Sequence, residues 1–448
     1  MFFILIVIIC IFSTNILDKL DLKYYQMFIL NIYIFTILLS IKKKYIVIIL
    51  FLVSLFVFMY GRIVLLPLIF EDKITISWFH YYDISEMTLY FIYKILIYNL
   101  FGIILGILYF KPKIYRYRNT LILKNKKIIL LFLFFTLIFF CLNNYSYLKK
   151  LYAVGAYLDI YLGKNFSSQG IVRMLGIAFY PLLIISISLY NEDKCKNLLL
   201  FLYLFSNFIF SLSGSRAAFI NSVFVVIYFS IKKIKIRNLI ILVCCFLSLI
   251  TFSQMLLLYR SHNKVQIKTE KIFKEFIFQQ GITGTYLALL KDKPELFIRK
   301  LPYIFSTKKP KSQLDNSIDI LGGNRIELAH QLSIRSNYSM YKKGMGMGGN
   351  YIIEMYDLGK EYGVLILSFF HTYIALYFFQ NINRYRYLFR IFIFLCLDQY
   401  FLMPRASYLP EIFRPRTYCT VIIYFIIILI IKMSIKRRKI EKNINSYK

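Results

Sequence analysis

A glycine-rich stretch ahead of an apolar run has the residue types and spacing best suited to chemistry in this sequence. Residues 343–363 read KGMGMGGNYIIEMYDLGKEYG and include Gly346 and Gly349. Glycine lets a backbone turn freely and lie close to a ligand. A helix after such a loop presents free N–H groups at its positive end, an arrangement that holds phosphate. The stretch predicts an anion-binding loop, with an ordinary glycine-rich turn as the open alternative.

The residues after the glycines predict a short helix that carries two carboxylates. Asn350 is suited to cap the start of this helix, and Gly359 is suited to end it. Glu354 and Asp357 are three residues apart and therefore share one helix face. A carboxylate on that face can accept the proton of an attacking hydroxyl. A solvated acidic face is the alternative.

Arginines in two short turns predict a site for negative charge. Arg216 follows the residues SLSGS between two apolar runs, and a second turn near the end of the chain contains Arg405, Arg414 and Arg416. A guanidinium holds phosphate through two parallel hydrogen bonds in a fixed geometry. The alternative is that each arginine only extends its charge from a helix end into water.

One long polar segment, residues 259–362, interrupts the apolar chain and adds further candidates. Arg260 stands where the segment begins, and His330 lies three residues after Glu327, which could orient its imidazole as a base. An exposed polar face is the alternative for that pair. The segment also predicts three short helices: an apolar stripe at 272–277, a start at Pro294, and a capping pattern at 324–327.

The composition predicts a membrane protein rather than a nucleic-acid-binding one. Hydrophobic residues make up 59% of the 448, and apolar runs of bilayer length recur throughout. The formal charge of +34 would suit nucleic acid, but most Lys and Arg lie in short loops, where they act as topology signals. The predicted spans are 2–17, 26–41, 45–70, 87–110, 128–143, 171–190, 198–213, 217–231, 238–258, 363–380, 387–403 and 417–433.

The charge distribution predicts how these helices, about twelve in number, are oriented in the membrane. Lys and Arg number 26 in the loops and tail on one side and 10 in the short loops on the other, with the long polar segment left out of the count. This excess places both termini in the cytoplasm and the polar segment outside, where we expect it to cap the spans. We predict an all-α polytopic membrane protein with nine spans in 1–258, an outward-facing loop with short helices at 259–362, and three spans with a basic tail in 363–448. The seven cysteines are scattered without metal-ligand spacing, so we predict no metal site and no cofactor.

These motifs and this order of spans resemble those of the O-antigen polymerases called Wzy. The resemblance covers most of the chain in topology, and in motif it covers 211–219, 344–363 and 403–416. The sequence has Asn350 where the family pattern commonly has serine, so no role is carried over there. The matched positions are Arg216, Gly346, Gly349, Glu354, Tyr356, Asp357, Gly359 and Arg405.

The resemblance implies an inverting glycosyltransferase in the inner membrane. Such an enzyme moves a growing glycan from one undecaprenyl diphosphate carrier onto the repeat unit carried by another, and a chain-length regulator protein is a partner to expect. Tyr356 and the glycines would bind substrate, and the arginines would hold the diphosphate as negative charge develops on it. Glu354, Asp357 and His330 are the candidate bases.

Two other functions remain open at this point. An O-antigen ligase has a similar topology and outer loop but transfers finished glycan to lipid A core. A lipid-linked oligosaccharide flippase or another transporter is a different class. Transporters place charged residues along a path within the spans, whereas here the charges cluster at the predicted outer rim, which favours transfer chemistry.

Overall fold

The computed structural model is all-helical, and no β-strand occurs among the residues it describes. This confirms the all-α part of the predicted fold class. The described residues are 21–70, 74, 83–112, 126–154, 170–189, 195–212, 216–231, 248, 251, 269–297, 328–342, 346–380, 382, 385, 387–406, 422 and 426.

The helices fall into three groups along the chain. The first group is α1 (Leu22–Lys43), α2 (Ile46–Phe70), α3 (Glu86–Tyr109), α4 (Lys126–Val154), α5 (Ile171–Leu189), α6 (Lys196–Leu212) and α7 (Arg216–Ser230). The polar segment contains α8 (Thr269–Gln280), α9 (Ile282–Thr285), α10 (Leu289–Asp292), α11 (Leu328–Ser336) and α12 (Tyr338–Lys342), with 3-10 turns at Tyr286–Ala288 and Pro294–Phe297. The last group is α13 (Tyr351–Phe379), α14 (Tyr387–Tyr400) and a 3-10 turn at Met403–Arg405.

The described helices coincide with nine of the predicted spans. Six of them are long and apolar enough to cross a membrane: Leu22–Lys43, Ile46–Phe70, Glu86–Tyr109, Ile129–Lys149, Ile171–Ser188 and Tyr351–Phe379. α6, α7 and α14 are shorter and match the spans predicted at 198–213, 217–231 and 387–403. The spans predicted at 2–17, 238–258 and 417–433 lie outside the described residues, apart from a few single positions. The total of twelve therefore stays a prediction.

The short helices of the polar segment follow the sequence pattern in two of three cases. α8 contains the predicted apolar stripe, with Phe276 and Ile277 buried. Pro294 begins only a four-residue 3-10 turn instead of a helix. α11 starts at Leu328, directly after the predicted capping pattern, whose own residues lie outside the described part of the chain.

Small residues let α3 and α13 pack with their backbones close together. A Cβ added at Gly102 would lie 2.4 Å from the carbonyl oxygen of Leu365, and one added at Gly106 would lie 2.6 Å from Cβ of Thr372. Gly102 and Gly106 are four residues apart, the spacing that brings two small residues to one face of a membrane helix. Close packing of this kind holds the stretch of α13 from Leu365 to Thr372 against α3.

α13 is a helical hairpin rather than one straight helix. Gly359 and Lys360 have non-helical backbone angles and separate a first part (351–358) from a second part (361–379). In a straight helix Tyr351 and His371 would be roughly 30 Å apart, yet their ring centroids are 5.9 Å apart. The first part therefore runs back along the second. The predicted start at Asn350 and stop at Gly359 are confirmed, since the Asn350 side chain accepts from the N–H of Ile352 at 2.9 Å.

The ends of the described helices gather at two opposite faces. At one face Gln380 donates to the carbonyl of Lys44 at 3.3 Å. At the other, Thr88 at the start of α3 donates to Asp292 of the polar segment at 2.5 Å. The predicted order of the spans requires this alternation. Which of the two faces points outward stays a prediction from the charge count.

Candidate functional site

The candidate site forms where α2, the polar segment, the glycine loop and the turn after α14 meet. α2 is π-helical from Phe56 to Leu65, a distortion that is frequent at functional sites. The helix continues through Gly61 and Arg62 in this π-helical form. Thr283 contacts Phe58, twelve residues before the end of α2, so the segment reaches down between the spans rather than only capping their ends.

Thr283 ties three of these elements together. Its hydroxyl oxygen lies 2.8 Å from the carbonyl oxygen of Phe58 and 3.1 Å from that of Pro404. Its own carbonyl accepts a hydrogen bond from the Asn350 side chain at 2.8 Å. Thr283 is fully buried. One residue of the polar segment thus holds the π-helical turn, the turn before Arg405 and the start of α13 in a fixed relation.

The glycine loop passes directly over Thr283 and Arg405. A Cβ added at Gly348 would lie 2.8 Å from Cγ2 of Thr283 and 3.4 Å from the carbonyl oxygen of Arg405. Gly349 is buried and Gly346 is exposed. Within 346–349 no glycine has a positive φ angle, so close approach at Gly348 is what this loop requires. Ser333 of α11 secures it by accepting from the N–H of Met347 at 2.7 Å.

Arg405 presents a positive charge at this junction. Its Nη1 donates to the side-chain oxygen of Gln280 at 2.5 Å, and its guanidinium carbon lies 5.8 Å from the ring centre of Phe58. The residue is only partly buried. Among the residues that the structure describes, no carboxylate lies within ion-pair distance of Arg405. The guanidinium therefore keeps its charge available for an anion.

The two carboxylates of α13 differ in their surroundings. Glu354 is fully buried, whereas Asp357 is partly exposed. The three-residue spacing therefore does not give them equal access to water. Tyr356 packs edge-on against Phe91 at 5.6 Å, and Lys360 lies 5.1 Å above the Tyr356 ring. A buried carboxylate is costly unless it is paired or protonated, so burial sets Glu354 apart from Asp357.

His330 contacts a tyrosine in the described structure. Its Nδ1 lies 2.9 Å from the hydroxyl of Tyr341. Glu327, the partner predicted for it, lies outside the described residues. His330 is one helical turn before Ser333, which holds the glycine loop.

The remaining predicted arginines are only partly accounted for. Arg216 is the first residue of α7, and its side chain lies outside the description, as do Arg260, Arg414 and Arg416 in full. Among the described residues, no group of three or more His, Cys, Asp or Glu side chains is placed to hold a metal ion.

Three residues of the junction were not predicted as site residues: Arg62, Gln280 and Thr283. Arg62 is 3% exposed, donates to the carbonyl of Phe278 at 2.7 Å and lies 3.9 Å above the Phe278 ring. A charged residue within an apolar run was the available signal for Arg62. Gln280 and Thr283 give no such signal, because neutral side chains in a polar segment are ordinary.

Comparison with known proteins yields one family. A family model described as O-antigen polysaccharide polymerase Wzy matches residues 1–439. No curated protein and no solved structure matches the chain.

Proposed function

The chain belongs to the O-antigen polysaccharide polymerase Wzy family, and on this premise we propose that it joins oligosaccharide repeat units carried on undecaprenyl diphosphate. Membership supports a multi-pass membrane polymerase acting on lipid-linked oligosaccharide. The carrier, the stereochemistry and the membrane face are our proposal. We place the reaction at the outer face of the inner membrane, with both termini in the cytoplasm, because of the loop charge count.

The proposed reaction is one inverting displacement. A hydroxyl of the sugar on the incoming repeat unit attacks the anomeric carbon of the growing chain, opposite to the bond that holds the diphosphate. The new C–O bond forms as the old one breaks, and undecaprenyl diphosphate leaves with the bonding electron pair. The hydroxyl proton passes to a protein base. The growing chain, longer by one unit, is then attached to the incoming carrier.

The partly exposed Arg405 is the observation that carries this proposal. A leaving diphosphate gains negative charge in the transition state, and a fixed cation beside it is worth most in a site that excludes water. Arg405 is held by Gln280 and has no described carboxylate partner. Arg216, Arg260, Arg414 and Arg416 are proposed as further arginines for the two diphosphates, with Gly346, Gly349 and Tyr356 as substrate contacts.

Glu354 is the base we propose first. It lies on the first part of α13, whose start is fixed by Asn350 at the junction with Thr283. Its burial suits a group that takes up a proton during the reaction. Asp357 and His330 are the alternatives. A chain-length regulator protein is a proposed partner.

Arginine variants in cells test the proposal. We expect Arg405→Ala to reduce lipopolysaccharide from a ladder of long chains to single repeat units at unchanged protein level. Arg405→Lys should restore only part of the ladder, because an ammonium lacks the planar pair of donors. Arg335→Ala is the matched control, since within the described part of the chain Arg335 donates only to the backbone carbonyl of Leu296, at 2.9 Å.

The same variants separate polymerisation from ligation. A ligase defect would leave long chains on undecaprenyl diphosphate, while a polymerase defect leaves one unit on lipid A core. Long chains in the Arg405→Ala strain, on either acceptor, would contradict the proposed role.

A further inference from the structure

Gln280, the last residue of α8, is buried at the junction and reaches Arg405. Gln280 is 1% exposed, and its side-chain oxygen accepts from Nη1 of Arg405 at 2.5 Å. This contact joins positions 125 apart in the sequence. A hydrogen bond to a charged donor is stronger than one between neutral groups, so the contact fixes the direction of the guanidinium.

The neutrality of Gln280 matters as much as its contact. A carboxylate at this position would form an ion pair with Arg405 and cancel the charge that an anionic ligand needs. An amide oxygen orients the guanidinium through one N–H and leaves the charge unchanged. A guanidinium has five N–H donors, so donors remain for the oxygens of a diphosphate.

The backbone around Gln280 is fixed by unusually close packing against α2. A Cβ added at Gly61 would lie 2.8 Å from Cγ2 of Ile277. One added at Gly281 would lie 2.5 Å from Cβ of Arg62, and one added at Gly284 would lie 2.6 Å from Cδ1 of Ile63. Glycine at all three positions lets the two backbones approach. The bond from Arg62 to the carbonyl of Phe278 adds a polar contact two residues before Gln280. The amide of Gln280 therefore stands on a rigid support.

We propose that Gln280 is a positioning residue that aims Arg405 at the diphosphate of a lipid-linked substrate while leaving its charge unneutralised. This inference rests on the proposed function, because it assigns a partner to Arg405, the residue on which the proposed function depends. Gln280 itself does not touch the reacting atoms. Its effect on the reaction passes through Arg405.

The test compares Gln280→Glu with Ser339→Glu, on the exposed surface of α12, in protein reconstituted in nanodiscs. Both changes add the same charge, but only the first puts a carboxylate against Arg405. We expect Gln280→Glu to raise KM for the lipid-linked repeat unit, and Ki for inorganic pyrophosphate as inhibitor, by about tenfold or more, in line with the strength of hydrogen bonds to charged groups. Ser339→Glu should leave both constants within a factor of about two, as surface changes away from the site do.

A second variant keeps the test valid if the buried glutamate prevents folding. Gln280→Met has similar length, no charge and no acceptor, so it releases Arg405 without neutralising it. We expect a folded protein with a smaller rise in KM and Ki than Gln280→Glu causes. Equal losses in melting temperature for both variants, with KM and Ki unchanged, would show a purely structural role and overturn the inference.

The outcomes also separate this inference from the proposed function. If Arg405→Ala abolishes transfer but Gln280→Glu leaves KM and Ki unchanged, only the role of Gln280 is wrong. If Arg405→Ala retains full transfer, the role of Arg405 in the proposed function is wrong, and the inference falls with it.

Discussion

Charge and burial divide the candidate residues into two kinds. Arg405 is partly exposed and faces no described carboxylate, as suits a residue that binds an anion from outside the protein. Glu354 is fully buried on a helix whose start is fixed by Asn350. An anion holder and a proton acceptor need these different surroundings.

The buried carboxylate gives the first prediction. Glu354→Gln keeps the shape of the side chain and removes its basicity, so kcat should fall by about 10²–10⁴-fold, the usual contribution of a general base. Asp357→Asn, on the more exposed position, should have a much smaller effect. Single-turnover transfer in nanodiscs measures both. If Glu354→Gln transfers at the normal rate, the base must be sought at His330 or elsewhere.

Residues with local signals could be predicted from the sequence, and residues with distant partners could not. The cap at Asn350 and the stop at Gly359 depend on neighbouring positions, and Arg405 was marked by its turn. Thr283 and Gln280 owe their roles to partners 225 and 125 positions away. Contacts between residues so far apart leave no periodic pattern in the sequence.

At the scale of elements, glycines decide how closely the helices around the site pack. Gly102→Val would place side-chain atoms against the backbone of α13, where even a Cβ would be 2.4 Å from the Leu365 carbonyl. Overpacking of this kind costs about 1–3 kcal/mol, so the melting temperature in detergent should fall. Gly359→Ala is the control, since a Cβ there has nothing within 4 Å and its φ of −166° suits any residue. Equal melting temperatures for the two variants would contradict the close packing.

The hairpin turn of α13 stores backbone strain at Lys360. Its φ of +53° and ψ of −142° suit glycine. Lys360→Gly should therefore stabilise the protein by about 1 kcal/mol, the low end of such strain. Glu361→Gly, in the helical residue next to it, should destabilise by about 1 kcal/mol. Thermal unfolding of both variants measures the difference, and a loss of stability in Lys360→Gly would contradict a strained turn.

The elements themselves were largely predictable, while their arrangement was not. An apolar run of bilayer length predicts a span wherever it occurs in the sequence. The nine described spans coincide with such runs. In the π-helical part of α2, Gly61 lies close to Ile277, and in the hairpin of α13, Gly363 lies close to the carbonyl of Met355. Such packing becomes visible only in three dimensions.

At the scale of the molecule, the described helices form a bundle into which the polar segment descends. The sequence predicted this segment as a cap over the ends of the spans. The neutral residues 276–289 include many buried side chains, and these fill the space between the spans. The candidate site therefore lies below the helix ends, where charge interactions are stronger than in bulk water.

Orientation in the membrane gives the prediction at this scale. Ser339→Cys, exposed on α12, should react with an impermeant maleimide in intact cells, whereas Lys43→Cys, exposed at the opposite face, should react only after permeabilisation. The parent chain with its own cysteines serves as the background control. Labelling of Lys43→Cys but not of Ser339→Cys in intact cells would reverse the topology.

Transfer by the purified chain is the most direct measurement of the central claim. The protein in nanodiscs is given one repeat unit linked to undecaprenyl diphosphate, and product length and released carrier are followed together. We expect products of two and more units, one undecaprenyl diphosphate released for each new linkage, and loss of both signals in Arg405→Ala. Products no longer than one unit from the unaltered chain would contradict the claim that this protein joins repeat units. Normal products from Arg405→Ala would contradict the claim that Arg405 holds the diphosphate.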